Sequence, residues 1–341
     1  MKILVTGGAG YIGSHVVKQL SDEKRHEIMI VDNLSTGFSE TIGKLIVYDN
    51  AISFKNLDLS DWAKTEELIK NEQFDAVIHF AASLIVPESV LLPHQYYLNN
   101  TANTTNLIYQ CAKYGVNKFI FSSTAAVYGN FQDGIVSEDT LLSPINPYGY
   151  SKAFSEQVLK DTTVAYPEFK YVILRYFNVA GANVDGIIGQ STQNATHLIK
   201  VAAQTALGQR ESVSIFGEDY PTPDGTCIRD YIHIDDLSYA HIFALHYLQD
   251  QPSEVFNVGY GKGYSVKEVL KTMQKVSGIP FSIVSSPKRE GDPAILIANN
   301  QKILNAYEQM KPTFKRELFK YNTLDFICQG ALEWEKKLCM V

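Results

Sequence analysis

Lys2-Ile-Leu-Val-Thr-Gly-Gly-Ala-Gly-Tyr-Ile-Gly13 joins a short apolar run to a helix-like segment through a glycine-rich turn. Lys2–Val5 reads as a buried strand and Tyr11–Leu20 as the helix that follows it. The turn satisfies G-x-G-x-x-G from Gly8 and G-x-x-G-x-x-G from Gly7, so that Gly7, Gly10 and Gly13 stand at the key positions. Glycine there allows a tight reversal, lets backbone N–H groups approach a pyrophosphate, and permits close helix–strand packing. The helix N-terminus, with Tyr11 and Ile12 in its first turn, favours phosphate charge. Glycine-rich turns are common, and this one takes its weight from the strand before it and the helix after it.

The alternation continues outward. Glu27–Val31, Ile52–Leu57, Ala76–His79, Lys118–Ser122 and Tyr171–Tyr176 read as strands. Helices are expected at Trp62–Lys70, Tyr96–Tyr114 and Tyr148–Ala165. The strands are continuously apolar, as in a parallel sheet covered on both faces. After Asn178 the texture changes. Gly, Pro and Asn become frequent, and Asp219-Tyr-Pro-Thr-Pro-Asp-Gly225 reads as a loop. Further helices are expected at Thr196–Leu207, Ile234–Tyr247, Ser265–Val276 and Asn322–Lys336. The fold class is therefore α/β: a Rossmann-type doubly wound parallel sheet over residues 1–178, then a smaller mixed α/β substrate lobe over 179–341. Some segments of that lobe are expected to return to the first domain.

Composition bounds the function. The 341 residues carry a net charge of −7, which argues against general nucleic-acid binding. No apolar run reaches the roughly 18 residues of a membrane span. The N-terminus has no secretory signal pattern, so a cytoplasmic protein is expected. Cys111, Cys227, Cys328 and Cys339 form no C-x-x-C pair and no zinc-finger spacing, so neither a disulfide framework nor a metal is expected.

The candidate site residues follow the strand ends. Asp32 lies 19 residues after Gly13, where a carboxylate would accept from ribose hydroxyls and repel a 2′-phosphate, which points to NAD. Asp58-Leu59 ends the third strand, where it suits an adenine edge but equally an N-cap region before Trp62. Phe80-Ala81-Ala82 follows the fourth strand; its small residues suit a passing cofactor or simple packing. Ser122-Ser123-Thr124 ends the fifth strand and offers hydroxyls to a substrate oxygen, or a turn or cap. Tyr148 and Lys152 are four apart, so they share a helix face, whereas Tyr150 points elsewhere. A positive charge about 5 Å from a phenolate, at a dielectric of about 20, is worth roughly 3 kcal/mol, or about two pKa units. With the charge of oxidised nicotinamide added, Tyr148 is expected to be partly ionised near neutral pH and to act as a base. Lys152 also suits the nicotinamide ribose.

Longer strings carry a more specific resemblance, which covers nearly the whole chain. They are Ser122-Ser-Thr-Ala-Ala-Val-Tyr-Gly129, Leu174-Arg-Tyr-Phe-Asn-Val-Ala-Gly181, Ile215-Phe-Gly-Glu-Asp-Tyr220, Asp224-Gly-Thr-Cys-Ile-Arg-Asp-Tyr-Ile-His233 and Arg289-Glu-Gly-Asp292. In these the chain resembles the UDP-glucose 4-epimerase (UDP-galactose 4-epimerase) family of extended short-chain dehydrogenases/reductases. The resemblance implies Tyr148 as base, Lys152 as its partner, and Thr124 bonded to the sugar O4 and the tyrosine. It implies NAD contacts at Gly7, Gly10, Tyr11, Ile12, Gly13, Asp32, Asn33, Leu34, Ser35, Thr36, Gly37, Asp58, Leu59, Phe80, Ala81, Ala82, Ser83, Leu84, Asn99, Lys152 and Phe177. UDP-sugar contacts are implied at Asn178, His197, Leu198, Ser214, Ile215, Phe216, Arg229, Arg289, Asp292 and Leu296. Chemically, Arg229 and Arg289 suit a diphosphate, Asp292 a ribose hydroxyl, and Phe216 the uracil face. Surface salt bridges and core packing are the plainer readings of the same residues.

The implied reaction is reversible. Tyr148 removes the O4 proton while C4 gives its hydride to tightly held NAD. The 4-keto sugar turns over, and the hydride returns to its other face. Leu84 stands where some family members have lysine, and Thr196-His197 where others have two asparagines. Leu296 stands at a wall position that is a tyrosine in glucose-restricted relatives, so an N-acetylated UDP-sugar is an alternative or additional substrate. Ala125-Ala126 after Thr124 lacks the acid/base pair that a 4,6-dehydratase needs. A UDP-glucuronate decarboxylase or a non-catalytic NAD sensor are the remaining readings. The helices Tyr96–Tyr114 and Tyr148–Ala165 resemble the pair that makes the family's homodimer bundle.

Overall fold

The structure is a computed structural model that describes residues 1–341 except Gln132, Gln193, Asn194, Glu290, Gly291, Lys315 and Val341. Two residues of the Arg289–Asp292 string thus lie outside the described residues. The apolar runs of the first half assemble a seven-stranded sheet. Its spatial order is Glu254–Val258, Lys170–Tyr176, Lys118–Thr124, Ala76–His79, Lys2–Thr6, Glu27–Asp32, Ile52–Asn56. The first strand pairs in parallel with the second and the fourth, so Val5 stands between Ile30 and Ile78. Chain order reverses at that strand. The crevice beyond its carboxyl end is where open α/β sheets bind ligands.

Both faces of this sheet are covered. Leu4, Val31, Val77, Phe119, Phe121 and Ile173 share a core with Leu68, Ile69, Leu107, Ile108 and Leu159 from three helices. Their strand neighbours Ile3, Val5, Ile30, Ile78, Ile120 and Val172 are buried as well. Side chains alternate across a strand, so these belong to the opposite face. Two-sided burial explains why the strands read as unbroken apolar runs.

The chain forms two compact units. The first comprises Met1–Gly129, Leu141–Arg175 and Ser238–Phe256, the second Asn130–Thr140, Tyr176–Leu237 and Asn257–Val341. In the second, Ile228–His233 pairs in parallel with Ile295–Ala298 and Asn178–Ala180, and antiparallel with Gly263–Ser265. Val213–Phe216 pairs separately with Ile283–Ser286. Helices Leu198–Ala206, Val266–Ser277 and Leu324–Cys339 bury Ala202, Ala203, Val269, Met273, Ile327 and Leu332 in one core with Ile215 and Tyr231. Local chemistry sets the bounds of the middle helix. Ser265 and Glu268 form a reciprocal capping box at its start, and Gly278, at φ +69°, ends it in the left-handed region.

One expected element is corrected. Tyr96–Tyr114 is not a single α-helix but Pro93–Tyr96, a π-helical turn Tyr97–Ala102, and Asn103–Lys113. Side-chain bonds from inside the π turn account for the wider coil: Asn99 and Asn100 reach Ser83, and Thr101 bonds the Ser151 carbonyl. Helices Ser39–Tyr48 and Gln301–Met310 were not expected from the sequence. Among the described residues, no helix is long and apolar enough to cross a membrane.

Candidate active site

The glycine turn leaves no room for side chains. Gly7 has φ +72°, and a Cβ there would lie 2.6 Å from the Ala81 nitrogen. A Cβ on Gly13 would strike the Gly7 carbonyl oxygen. The first and fourth strand ends therefore touch through bare backbone. Helix Tyr11–Asp22 begins at Gly10 with no side-chain cap, which leaves its first N–H groups for a ligand.

Asp32 ends the second strand, nearly buried. Its carboxylate accepts the N–H groups of Ala9 (3.0 Å) and Leu34 (2.8 Å). Burial pushes its pKa up, against the pull of those two N–H groups. Leu34 takes φ +60° to make this turn. Next to it Gly37 passes so near Ala9 that a Cβ would come within 2.6 Å of the alanine methyl. Asp58 is not the cap of the following helix. Asp61 is, accepting from Lys64 N–H at 3.0 Å. Asp58 instead accepts from Asn33 Nδ2 at 2.7 Å, and that bond leads the causes holding its pKa low. These residues fit a dinucleotide: a side-chain-free cradle, open helix donors, and a carboxylate at the second strand end.

After the fourth strand, Phe80 packs on His241 with centroids 4.9 Å apart. Ser83 is held from three sides by the π turn: its N–H donates to Asn100 Oδ1 (2.8 Å), its carbonyl accepts from Asn100 Nδ2 (2.9 Å), and its hydroxyl accepts from Asn99 (3.0 Å). Asn100 was missed by the sequence reading. A buried asparagine within an expected helix was the available signal. Leu84 is exposed.

Thr124 is the last residue of the fifth strand, and its hydroxyl accepts the Ala126 N–H at 3.2 Å. The cap reading of this strand end thus holds, and Thr124 also hydrogen-bonds Tyr148. Helix Pro147–Ala165 starts on Asn146, whose side chain accepts the Gly149 N–H at 2.9 Å. That start buries Tyr148 and leaves Tyr150 41% exposed, its ring tilted against Phe154 at 6.0 Å. The Tyr96 ring meets the Tyr148 ring edge-on at 6.5 Å. Lys152 is buried, with Nζ 2.9 Å from the Ser122 carbonyl and 4.9 Å over the Phe121 ring.

On balance the protein's own groups work against the ionised form of Tyr148, which leaves the expected ionisation to the nicotinamide charge. Burial pushes the phenol up, and only the Thr124 bond works against it. Burial also brings Lys152 down to about 7, opposed by the Glu156 charge. A dry site penalises both charges, so the lysine has less charge to lend than a solvated one would. Glu156, four residues beyond Lys152, was not singled out from the sequence, although the same helical spacing points to it. It is fully buried and forms a two-pronged ion pair with Arg175, at 3.0 and 2.6 Å.

The second unit holds the other candidates. Phe177 is buried, its N–H donating to Val258 O at 3.3 Å, and Asn178 is exposed at the start of its strand. His197 precedes helix Leu198–Ala206 and its ring meets Gln190 at 3.0 Å; burial and the Lys200 charge lower its pKa. Ser214, Ile215 and Phe216 lie in one strand. Arg229 is bonded to the Ile228 carbonyl (2.9 Å) and stands 3.6 Å from Asp292, with Leu296 beside it in register. The Phe216 ring carries the Arg289 guanidinium at 3.8 Å. One face of the ring that the resemblance assigns to uracil thus carries an arginine.

Residues 3–259 match the NAD dependent epimerase/dehydratase family. The chain is 45% identical over 338 residues to a UDP-glucose 4-epimerase of Azospirillum brasilense, covering 99% of this chain and 92% of that one. Among solved structures, the UDP-Glc/GlcNAc 4-epimerase of Campylobacter jejuni is 53% identical, with TM-score 0.84 and coverage of 98% and 99%. The UDP-glucose 4-epimerase of Bifidobacterium longum, in complex with NAD+ and UDP, is 36% identical, with TM-score 0.90 and coverage of 99% and 98%. An uncapped glycine turn, a carboxylate at the second strand end and a buried Tyr–Lys pair thus occur in a chain with relatives of one kind along nearly its full length, and the chain belongs to the NAD dependent epimerase/dehydratase family.

Proposed function

We propose that this chain interconverts UDP-glucose and UDP-galactose by NAD-dependent epimerisation at sugar C4. The observation that carries the reading is the half-buried Thr124 at the end of the fifth strand, bonded to the buried Tyr148 with Lys152 one turn on, and followed by Ala125 and Ala126. Tyr148 takes the O4 proton, and Thr124 shares the hydrogen bond that aims it. NAD, when bound, supplies the hydride acceptor and donor at C4 and, oxidised, a positive charge near the phenol. Lys152 keeps donors beyond its Ser122 bond for a ribose hydroxyl and tunes the phenol through whatever charge it carries. Two alanines after Thr124 offer no acid for elimination, so the 4-keto sugar can only be reduced again, from either face. Arg229 and Arg289 are assigned to the diphosphate, which leaves the sugar free to turn.

The test is conversion of UDP-galactose to UDP-glucose by purified protein with no added NAD. Turnover is expected, with NAD released on denaturation. Protein that carries no NAD and makes no glucose epimer sinks the reading. UDP-N-acetylglucosamine belongs in the same assay. Leu296 at the wall position, together with a relative at 53% identity described as a UDP-Glc/GlcNAc epimerase, favours its acceptance as a second substrate. No turnover of the N-acetyl sugar would remove that addition and leave the main reading intact.

A homodimer and a cytoplasmic location belong to the same proposal. Leu98, Tyr109, Tyr150 and Phe154 are large apolar side chains exposed on the π turn and the two helices that resemble the family's bundle. Light scattering is expected to give the mass of two chains, reduced to one by Leu98→Glu with Phe154→Glu; a monomeric wild type would refute the dimer. Cys111, Cys227 and Cys328 are buried and unpaired, which suits a reducing compartment.

A further inference from the structure

We infer that Phe216 is a positioning residue for Arg289 rather than a platform for the base. The inference rests on the proposed role of Arg289 at the diphosphate. Phe216 ends the strand Val213–Phe216 and stands opposite Ser286 in the parallel partner strand. Three residues beyond Ser286, the Arg289 guanidinium lies 3.8 Å from the ring centroid, which is a stacking distance. A second contact ties down the same loop: Lys288 Nζ sits 4.4 Å over the Tyr220 ring and 3.0 Å from Asp219.

Each arginine is held by a different device. Arg229 spends an N–H on the Ile228 carbonyl and stands 3.6 Å from Asp292. Arg289 is exposed, and among the described residues no carboxylate pairs with it. Face-on stacking consumes none of its donors. The ring holds the flat of the guanidinium, and the N–H groups stay in plane and available to phosphate oxygens. An unsupported surface arginine would lose several rotamers on binding. One already stacked has lost them before the ligand arrives. A ring covered in this way does not present that face to uracil.

An exposed cation–π contact corresponds to about two- to five-fold in affinity. Phe216→Leu is therefore expected to raise KM for the UDP-sugar and weaken UDP inhibition by about that factor, with kcat unchanged within two-fold. Phe216→Tyr is expected to restore both. Uridine, which lacks the diphosphate, should bind Phe216→Leu and wild type alike. In an Arg289→Ala background, Phe216→Leu should add nothing. Equal losses for uridine and UDP, or additive losses in the double variant, would place the ring on the base and overturn the inference. Unchanged UDP binding in Phe216→Leu would overturn it too. These outcomes are read against an active wild type, so a failure of the parent reading shows first, as absent epimerase activity.

Discussion

A Tyr148→Phe variant is expected to keep its fold and its NAD while turnover falls by about 10²–10⁴. The substitution removes one oxygen and leaves the buried ring, including its edge contact with Tyr96. Thr124 keeps the Ala126 N–H, and Lys152 keeps the Ser122 carbonyl, so no charged group is stranded. What disappears is the oxygen that bonds the strand-end hydroxyl and that, as phenolate, takes the O4 proton. Tyr150→Phe is the internal control: that ring is exposed and lies tilted against Phe154, so activity should match wild type. NAD content by absorbance after denaturation, circular dichroism and initial rates make the comparison. A Tyr148→Phe enzyme retaining more than about a tenth of its activity would refute the assigned base.

The sheet was legible because its signal is local. Strands buried on both faces must be apolar at every position, so Leu4-Val5 and Phe119-Ile-Phe121 stand out without knowledge of their neighbours. Tyr148 over Tyr150 was legible for a similar reason, since helical spacing alone separates buried from exposed. What the sequence hid depends on groups far apart in the chain. The π turn exists because Asn99 and Asn100 find Ser83, 16 and 17 residues away. Phe216 reads as a base platform, and nothing in its spacing announces that Arg289, on a neighbouring strand's continuation, lies over one face. The attraction of Lys152 for a phenolate can be computed from spacing, whereas the desolvation that weakens it requires knowing that Lys152 is buried.

Glu156→Ala is expected to destabilise the first unit by about 3–5 kcal/mol, the usual cost of stranding one partner of a buried ion pair. Arg175 is 2% exposed and its guanidinium cannot shed its charge. Burial alone would push its pKa down, but the bonds and charge of Glu156 hold it above the ordinary value. Tyr128 accepts from the same guanidinium at 3.0 Å, one bond in place of the two-pronged pairing that the carboxylate gives. Ser123 loses its partner as well, since its hydroxyl donates to Glu156 at 2.5 Å. The pair is not thereby a large net source of stability, because both charges were desolvated to make it. The double variant Glu156→Leu with Arg175→Met removes both charges and should recover most of the loss in urea unfolding. A single Glu156→Ala within about 1 kcal/mol of wild type would show that water or another group neutralises Arg175. Activity separates the two roles of the carboxylate. The double variant regains the fold but leaves Lys152 without the charge that opposes its neutralisation, so its turnover near pH 7 is expected to stay below wild type even where its stability does not.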